Sequence, residues 1–264
     1  MKERIAISGS HGFLGSHLGE TVGEFTHIER DGVLSAPQDY IFDLAGYGNM
    51  SWQKEPERIY EANVMRLLAL LESSKETDYK ALVVTSTSSV TLPYPTVYSE
   101  SKLAAERVAQ LYARQYDKPI VIVRPYTIIG VGEQPQHLIP KLIDSCYAGT
   151  AMPFVGTPVH DFLDVEDFVD SLLLIAQHAV DNKGKIYSVG SGIQYSNEQV
   201  LEIVERLTGK SANIQRVDSF HSYDTTNWRA DTTDLKDLGW KPLKSLERTI
   251  QEMIYEYQRT NITN

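Results

Sequence analysis

A tyrosine and a lysine four residues apart, Tyr98 and Lys102, are the side chains of this sequence best suited to proton transfer. In a helix this spacing puts both side chains on one face. A free tyrosine has a pKa of about 10 and is a poor base at neutral pH unless a nearby positive charge stabilises the phenolate. Lys102 supplies such a charge, so the pair predicts a phenol that transfers protons.

A glycine-rich turn near the start of the chain is typical of a dinucleotide site. Residues 2–8 predict a buried strand, which leads directly into the turn Gly9-Ser10-His11-Gly12-Phe13-Leu14-Gly15 and then into a helix. Small residues at such a turn let the backbone approach a pyrophosphate, and the helix points its first amides at the phosphates. A tight turn without a ligand would also need glycine. The position upstream of Tyr98 and Lys102 favours dinucleotide binding.

Composition and charge restrict the partners that we expect. The chain has 264 residues, of which 42% are hydrophobic and 23% charged, and a net charge of -10. Such an acidic balance argues against a general nucleic-acid surface and against docking on anionic membranes. With seven scattered histidines, no H-E-x-x-H motif and one cysteine, no metal site is expected. The lone Cys146, without a signal peptide or a long apolar run, predicts a cytoplasmic setting.

The order of apolar and helical segments predicts an α/β fold with a doubly wound parallel sheet. Strands are predicted at 40–45, 81–86 and 119–125, and helices at 56–74 and 99–116. After Gly130 prolines break the pattern, and helices return at 165–179, 197–208 and 246–257. We expect a nucleotide-binding core at 1–133, with 158–190 returning to it. The remaining segments, 134–157 and 191–264, form a small interleaved C-terminal substrate lobe.

Eight motifs in order resemble the extended short-chain dehydrogenase/reductase family, and within it the NAD-dependent sugar-nucleotide epimerase/dehydratase branch. They lie at residues 9–15, 43–46, 63–64, 85–90, 98–102, 124–130, 161–167 and 238–242. The resemblance implies a Rossmann fold, a nucleotide-diphosphate sugar as substrate, and a homodimer formed through the helices that contain Asn63 and Tyr98.

The resemblance also implies roles for single residues. Tyr98 matches the acid/base, Lys102 the group that binds the nicotinamide ribose and lowers the tyrosine pKa, and Thr87 the hydroxyl that holds the reacting oxygen. Read alone, Thr87 is a strand-end hydroxyl that satisfies nearby backbone. The implied cofactor contacts are Gly9, Gly12, Phe13, Leu14, Gly15, Glu29, Arg30, Leu44, Ala45, Gly46, Asn63, Thr85, Tyr98, Lys102, Pro125 and Tyr126. The implied substrate contacts are Thr87, Thr127, His137, Leu138, His160 and Arg229.

The first half of the chain is shorter than the family pattern. Only residues 31–39 separate the second strand from the strand that ends at Asp43, so a strand and a helix of the usual nucleotide half are missing. This shortening removes part of the wall that covers adenine. The segment between Thr87 and Tyr98 is also short. Asp43, Thr127 and His160 stand where the family often has histidine, asparagine and arginine.

The choice of cofactor depends on Glu29, at the end of the second predicted strand. A carboxylate there accepts hydrogen bonds from ribose hydroxyls and repels a 2′-phosphate, which favours NAD. Arg30 acts in the opposite direction, so NADP stays possible.

Three functions are compatible with these residues. The first is NAD-dependent epimerisation of a nucleotide-diphosphate sugar, and the second is reduction or dehydrogenation of a keto-sugar nucleotide with exchangeable NAD(P)H. The third is a non-catalytic NAD(P)-binding regulatory protein. Dehydration is disfavoured because Ser88 and Ser89 follow Thr87 where the dehydratases carry an acidic pair.

Overall fold

The chain forms two compact units, which are described separately. The computed structural model describes residues 3–50, 52–218, 225 and 227–261. Unit 1 comprises Met1–Pro125, Phe168–Val189 and Thr232–Trp240, and unit 2 comprises Tyr126–Asp167, Gly190–Asp231 and Lys241–Asn264. Lys2 of the first predicted strand and the predicted domain limits at residues 1 and 264 lie outside the described residues.

A six-stranded parallel sheet forms the centre of unit 1. Its strands are β1 (Ile5–Ser8), β2 (Thr26–Ile28), β3 (Tyr40–Asp43), β4 (Ala81–Thr85), β5 (Ile120–Pro125) and β9 (Ile186–Val189). They are arranged in the order β2-β1-β3-β4-β5-β9, and each neighbouring pair is parallel. The doubly wound sheet predicted from the sequence is therefore confirmed.

The side of the sheet formed by the first half of the chain is short, as the spacing predicted. The usual doubly wound sheet has the strand order 3-2-1-4-5-6, so a third strand lies outside the second strand. Here β2 is the edge strand, and residues 29–39 cross to β3 without forming a helix or a strand.

Helices cover the sheet through apolar faces. In unit 1 they are α1 (Phe13–Val22), α2 (Pro56–Tyr60), α3 (Arg66–Ser74), α4 (Val97–Gln115) and α8 (Thr233–Asp237), with α6 (Val165–Gln177) belonging to both units. Short 3₁₀ turns lie at Ser88–Thr91 and Ala179–Asn182. Leu67, Leu70 and Leu71 of α3 pack with Ala105 and Ala109 of α4 in a single buried cluster that also contains strand residues.

The predicted helix 56–74 is interrupted by one turn of π-helix at Glu61–Met65, between α2 and α3. Such a turn inserts an extra residue and is common near functional sites. It places Asn63, which is buried, where its amide donates to the carbonyl of Tyr47 and accepts from the amide of Tyr47. The apolar periodicity of the segment does not reveal this interruption, because leucines continue on the inner face.

Unit 2 contains two small sheets and its own core. Its strands are β6 (Thr127–Ile129), β7 (Met152–Phe154), β8 (Val159–Asp164), β10 (Gln194–Ser196) and β11 (Ile214–Arg216), which pair as β10-β8-β6 and β11-β7. Its helices are α5 (Leu138–Ala148), α7 (Asn197–Thr208) and α9 (Leu246–Asn261). These helices and the facing strand residues enclose a buried apolar cluster that includes Leu142, Phe154, Phe162, Val204 and Ile250.

A buried ion pair joins the end of β3 to the start of α3. Nη2 of Arg66 lies 2.7 Å from Oδ1 of Asp43, and both side chains are less than a tenth exposed. Ser8 of β1 donates its hydroxyl to the same carboxylate and accepts a hydrogen bond from the amide of Ala45. Removing one partner of such a pair leaves a buried charge without compensation.

We expect Arg66→Leu to lower the free energy of unfolding by about 3–5 kcal/mol, the usual cost of breaking a buried pair. The matched control is Arg206→Leu, since Arg206 pairs with Glu247 at 2.7 Å but both side chains are more than half exposed. That control should cost less than about 1 kcal/mol. Urea unfolding of the three proteins measures the difference, and equal losses for the two variants would contradict the assignment of Asp43 as a buried ion.

Candidate active site

The glycine turn after β1 needs residues without a side chain. Gly9 has φ +67°, and a Cβ there would lie 2.8 Å from the amide nitrogen of Ala45. A Cβ on Gly15 would overlap the carbonyl oxygen of Gly9. Gly12 precedes α1 and no side chain caps the helix. Such a turn lets a ligand approach the backbone closely, and uncapped amides at a helix start, here those of Phe13 and Leu14, suit an anion.

The segment after β3 lies beside this turn. Leu44 and Ala45 are half-buried and Gly46 is exposed. The amide of Ala45 is held by Ser8, and a Cβ built on Gly46 would lie 3.6 Å from Nζ of Lys102. The predicted cofactor segments 9–15 and 44–46 and the predicted catalytic lysine are thus brought together in unit 1.

Lys102 is buried and bonds to the end of strand β4. Its Nζ donates to the carbonyl oxygen of Thr85 at 2.7 Å, and its side chain is 5% exposed. Burial lowers the pKa of Lys102 to about 8, with Asp43 opposing the shift and Arg66 adding to it. The hydroxyl oxygen Oγ1 of Thr85 is buried and has no hydrogen-bond partner among the described residues, which leaves a polar atom available at this strand end.

Tyr98 and Thr87 are neighbours in the structure. Burial raises the pKa of Tyr98 to about 12, and a hydrogen bond with the Thr87 side chain opposes that shift. Thr87 also caps the short turn that follows it, because its Oγ1 accepts from the amide of Ser89 at 3.2 Å. The predicted strand-end hydroxyl and the predicted phenol are therefore brought together.

Helix α4 holds Tyr98 and Lys102 in fixed positions. Thr96 caps the helix through a reciprocal pair of bonds with Ser99, which places Tyr98 in the first turn. Ser101 accepts a hydrogen bond from Nδ2 of Asn63 at 2.8 Å, so the π turn and α4 are joined. Asn63, a predicted cofactor contact, acts in this structure as a link between backbone segments.

A buried glutamate, which the sequence analysis did not single out, ties α4 to two strand ends. Glu106 is 1% exposed and accepts from Ser86 at 2.6 Å. It also accepts two hydrogen bonds from Arg124 of β5, at 2.8 Å and 2.7 Å. The spacing Lys102 to Glu106 could have indicated it, because four residues place it one turn further on the same face.

The residues predicted to select the cofactor lie just after β2. Glu29 and Arg30 are both exposed. Beside them the rings of His11 and His27 stack with centroids 5.0 Å apart, and Nδ1 of His27 lies 2.6 Å from the hydroxyl of Ser10. His11 belongs to the glycine turn and His27 to the edge strand β2. Neither histidine is among the predicted cofactor contacts.

Unit 2 contains a pocket of about 350 Å³. Four of the predicted substrate residues line it, namely Thr127, His137, Leu138 and His160. Arg229 is exposed and is not among its lining residues, although its neighbour Trp228 is. The pocket also contains Glu133, Lys141 and Asn197, which the motif comparison did not single out because they lie outside every recognised motif.

The last two predicted cofactor contacts lie at the end of β5. Pro125 closes the strand and belongs to unit 1, whereas Tyr126 belongs to unit 2. The ring of Tyr126 is tilted against Trp228 with centroids 6.4 Å apart.

The residues of unit 1 fit a dinucleotide. The turn at Gly9 and Gly15 is a cradle that a side chain would fill, and the uncapped start of α1 offers amides to a pyrophosphate. Thr85, whose carbonyl accepts from Lys102, also has a buried hydroxyl without a hydrogen-bond partner in the part of the chain that the structure describes. Within the described parts of the chain, no group of three or more histidine, cysteine or acidic side chains could hold a metal ion, and no helix is long and apolar enough to cross a membrane.

Comparison with known proteins identifies similar chains. The model of the NAD dependent epimerase/dehydratase family matches residues 23–190. The low-salt glycan biosynthesis protein Agl12 of Haloferax volcanii is 29% identical over 163 residues, which are 61% of this chain and 52% of that protein. The UDP-glucose 4-epimerase of Lactobacillus helveticus is 26% identical over 238 residues, or 77% and 72% of the two chains. The chain thus spans about half the length of the first relative and about seven tenths of the second.

Solved structures share the fold over nearly the whole chain. MoeE5 in complex with UDP-glucuronic acid and NAD has a TM-score of 0.87 at 24% identity, covering 97% of this chain and 99% of that one. The UDP-glucuronic acid 4-epimerase of Bacillus cereus, in complex with UDP-glucuronic acid and NAD, has a TM-score of 0.86 at 22% identity, with 97% and 99% covered. At these identities the likeness concerns the fold.

The buried position of Lys102 predicts a pH-dependent stability. Its pKa is lowered to about 8 in the folded protein from an ordinary 10.5. Below about pH 8 the folded protein carries a buried charge, and between about 8 and 10.5 the unfolded chain binds a proton that the folded chain does not, so stability rises with pH there. We expect Lys102→Met to be more stable than the parent near pH 7, and this advantage to shrink as pH rises through that window.

Urea unfolding at several pH values between about 7 and 10 measures this effect. Lys236→Met, which removes an exposed lysine of α8, is the control and should show no such trend. An advantage of Lys102→Met that stays constant with pH would mean that Lys102 is not held with a lowered pKa.

Proposed function

The chain belongs to the NAD-dependent epimerase/dehydratase family, and we propose that it epimerises a nucleotide-diphosphate sugar with bound NAD. The family accounts for the cofactor, and the observation that supports catalysis is the pairing of Tyr98 with Thr87, with Lys102 held at the adjoining strand end. A protein that only senses NAD has no chemical need for these three side chains. This requirement favours an enzyme over the non-catalytic alternative.

The proposed chemistry assigns one task to each side chain. When bound, NAD accepts a hydride from a sugar carbon and returns it to the other face of that carbon. Tyr98 takes the proton of the sugar hydroxyl and later returns it. Thr87, which shares a hydrogen bond with Tyr98, orients the reacting oxygen. Lys102 binds the nicotinamide ribose and supplies a positive charge that stabilises the phenolate form of Tyr98, the form that accepts the proton.

The pocket of unit 2 is proposed to hold the nucleoside-diphosphate part of the substrate. Its lining includes Lys141, His137 and His160, and helix α5 begins there after His137 without a side-chain cap. Cations and free amides at a helix start suit phosphate groups. Arg229 stays a proposed phosphate ligand, because its guanidinium is exposed next to the pocket residue Trp228.

The choice of NAD over NADP is proposed from a single residue, and the homodimer is proposed from the sequence alone. NAD is preferred because Glu29 follows the edge strand β2, where it meets the adenosine ribose in this fold. A homodimer through the helical segments that contain Asn63 and Tyr98, and a cytoplasmic location, remain predictions from the sequence.

Tyr98→Phe should lower kcat by about 10²- to 10⁴-fold, because it removes the proton-transferring hydroxyl. The binding of NAD should change little, since the ring stays in place. Tyr94→Phe is the control and should keep the parent rate, because Tyr94 lies in the segment between Thr87 and Tyr98 and is 59% exposed. Turnover of a nucleotide-diphosphate sugar by Tyr98→Phe at the parent rate would remove Tyr98 from the mechanism.

Cofactor titration tests the role of Glu29. We expect the parent to bind NAD more tightly than NADP, and Glu29→Ala to reduce or reverse this preference because Arg30 then meets the 2′-phosphate without repulsion. Glu20→Ala, at an exposed glutamate of α1, serves as the control. Tighter binding of NADP by the parent would show that Arg30 dominates at this position.

The proposed function itself is tested with a panel of nucleotide-diphosphate sugars. An epimerase returns the hydride that it removes, so the sugar should be converted to its epimer, detected by NMR, with no net change in reduced-nicotinamide absorbance. NAD should also remain bound during purification. Stoichiometric consumption of NADH with product formation would instead establish a reductase, and no turnover of any sugar nucleotide would refute both enzymatic readings.

A further inference from the structure

Three polar atoms in the lining of the unit 2 pocket lack a partner. They are Oε2 of Glu133, Oδ1 of Asn197 and Nε1 of Trp228, each of which is buried and without a hydrogen bond among the described residues. Buried polar atoms are nearly always paired in native proteins, because leaving one unpaired is costly. Three of them around one cavity indicate a ligand that supplies the missing partners.

The donor or acceptor character of each atom is defined by its surroundings. The indole nitrogen of Trp228 can only donate. Nδ2 of Asn197 donates to the carbonyl of Val155 at 2.9 Å, which identifies the unpaired atom as the carbonyl oxygen, an acceptor. In Glu133 the other oxygen, Oε1, lies 3.0 Å from Nδ1 of His137, so Oε2 is the acceptor left over. The ligand must therefore offer one acceptor and two donors.

The carboxylate of Glu133 is a built part of the pocket. Its side chain is 3% exposed, and the contact with His137 four residues later holds it in place. Burial raises the pKa of Glu133, and the hydrogen bond with His137 opposes that shift. In the ionised form, which the contact with His137 favours, both oxygens of Glu133 are acceptors only. A carboxylate in a pocket for anionic substrates is costly unless a ligand N–H group meets it.

Nucleobases differ in this pattern. The imide edge of uracil or thymine has two carbonyl acceptors around one N–H group, so it leaves one protein acceptor facing a carbonyl. Cytosine and adenine each carry a single N–H-bearing nitrogen on that edge. Guanine combines one carbonyl, O6, with two N–H-bearing nitrogens, N1 and N2. It is the common base whose edge matches one donor and two acceptors.

We propose that Glu133, Asn197 and Trp228 select guanine, so that the substrate is a guanosine-diphosphate sugar. This inference rests on the proposed function, because it takes the pocket as the nucleotide end of the substrate site. Trp228 donates to O6, and the two acceptor oxygens receive N1–H and N2–H. The pocket volume of about 350 Å³ is in the range of ligand pockets and accepts a purine.

Calorimetric titration of the full-length protein with nucleoside diphosphates tests this proposal. GDP should bind at least about tenfold more tightly than UDP, dTDP and ADP, because each of these leaves at least one buried polar atom without a suitable partner. Inosine diphosphate keeps O6 and N1–H but lacks the 2-amino group. It should bind more weakly than GDP by roughly fivefold or more, the effect of one unpaired acceptor.

Two variants attribute the preference to these atoms. Glu133→Gln keeps the size of the side chain but replaces an acceptor by a group that can also donate, and should reduce the ratio of GDP to UDP affinity by roughly fivefold or more. Trp228→Phe should weaken GDP without affecting NAD binding, which reports on the fold of unit 1. Glu202→Gln, at an exposed glutamate of α7, is the matched control and should keep the parent ratio.

The outcomes separate this proposal from the proposed function. Binding of UDP or dTDP as tight as that of GDP, or tighter, overturns guanine selection and leaves a sugar-nucleotide enzyme of another base. An unchanged GDP-to-UDP ratio in Glu133→Gln also overturns it, because the carboxylate would then not face the base. Failure of every nucleoside diphosphate to bind overturns both proposals.

Discussion

The buried carboxylate of Glu106 is the interaction on which the catalytic geometry depends. It receives hydrogen bonds from Ser86, just after β4, and from Arg124, on β5. Because Glu106 lies one helical turn after Lys102, the same bonds fix the height and rotation of α4 against the two strand ends. The ammonium of Lys102 then reaches the carbonyl of Thr85 at 2.7 Å. A small rotation of α4 would separate Tyr98 from its partner hydroxyl.

A second buried carboxylate, that of Asp43, fixes the position of the segments around the glycine turn. Asp43 accepts from Ser8 and pairs with Arg66, and Ser8 in turn holds the amide of Ala45. Buried ion pairs add little net stability, because desolvation consumes much of the attraction between the charges. Their value here is positional, since they join segments that are distant in the sequence. The burial of Lys102 is also unfavourable to folding, because its lowered pKa means that its charge is poorly solvated.

Local patterns were sufficient to predict the fold and the segments that meet at the candidate site, but not the contacts between these segments. The glycine turn, the parallel strands and the tyrosine–lysine spacing each lie within a short stretch, and the family match in residues 23–190 agrees with them. The partner of Lys102 in this structure is a backbone carbonyl, which no side-chain pattern shows. Glu133, Asn197 and Trp228 come from three distant loops and helix starts, so only the folded chain reveals that they line one pocket.

The shortened first half shows which parts of the sheet the chemistry needs. The residues proposed for catalysis lie just after β4 and on α4, on the side of β1 that keeps its full set of strands. The missing strand would lie beyond β2, next to Glu29 and the stacked His11 and His27. Without that strand, the proposed adenosine end of the cofactor site has one wall fewer, whereas the strand end beside Lys102 and Thr87 is intact. We therefore expect the shortened sheet edge to affect the affinity for the cofactor more than the rate of proton transfer.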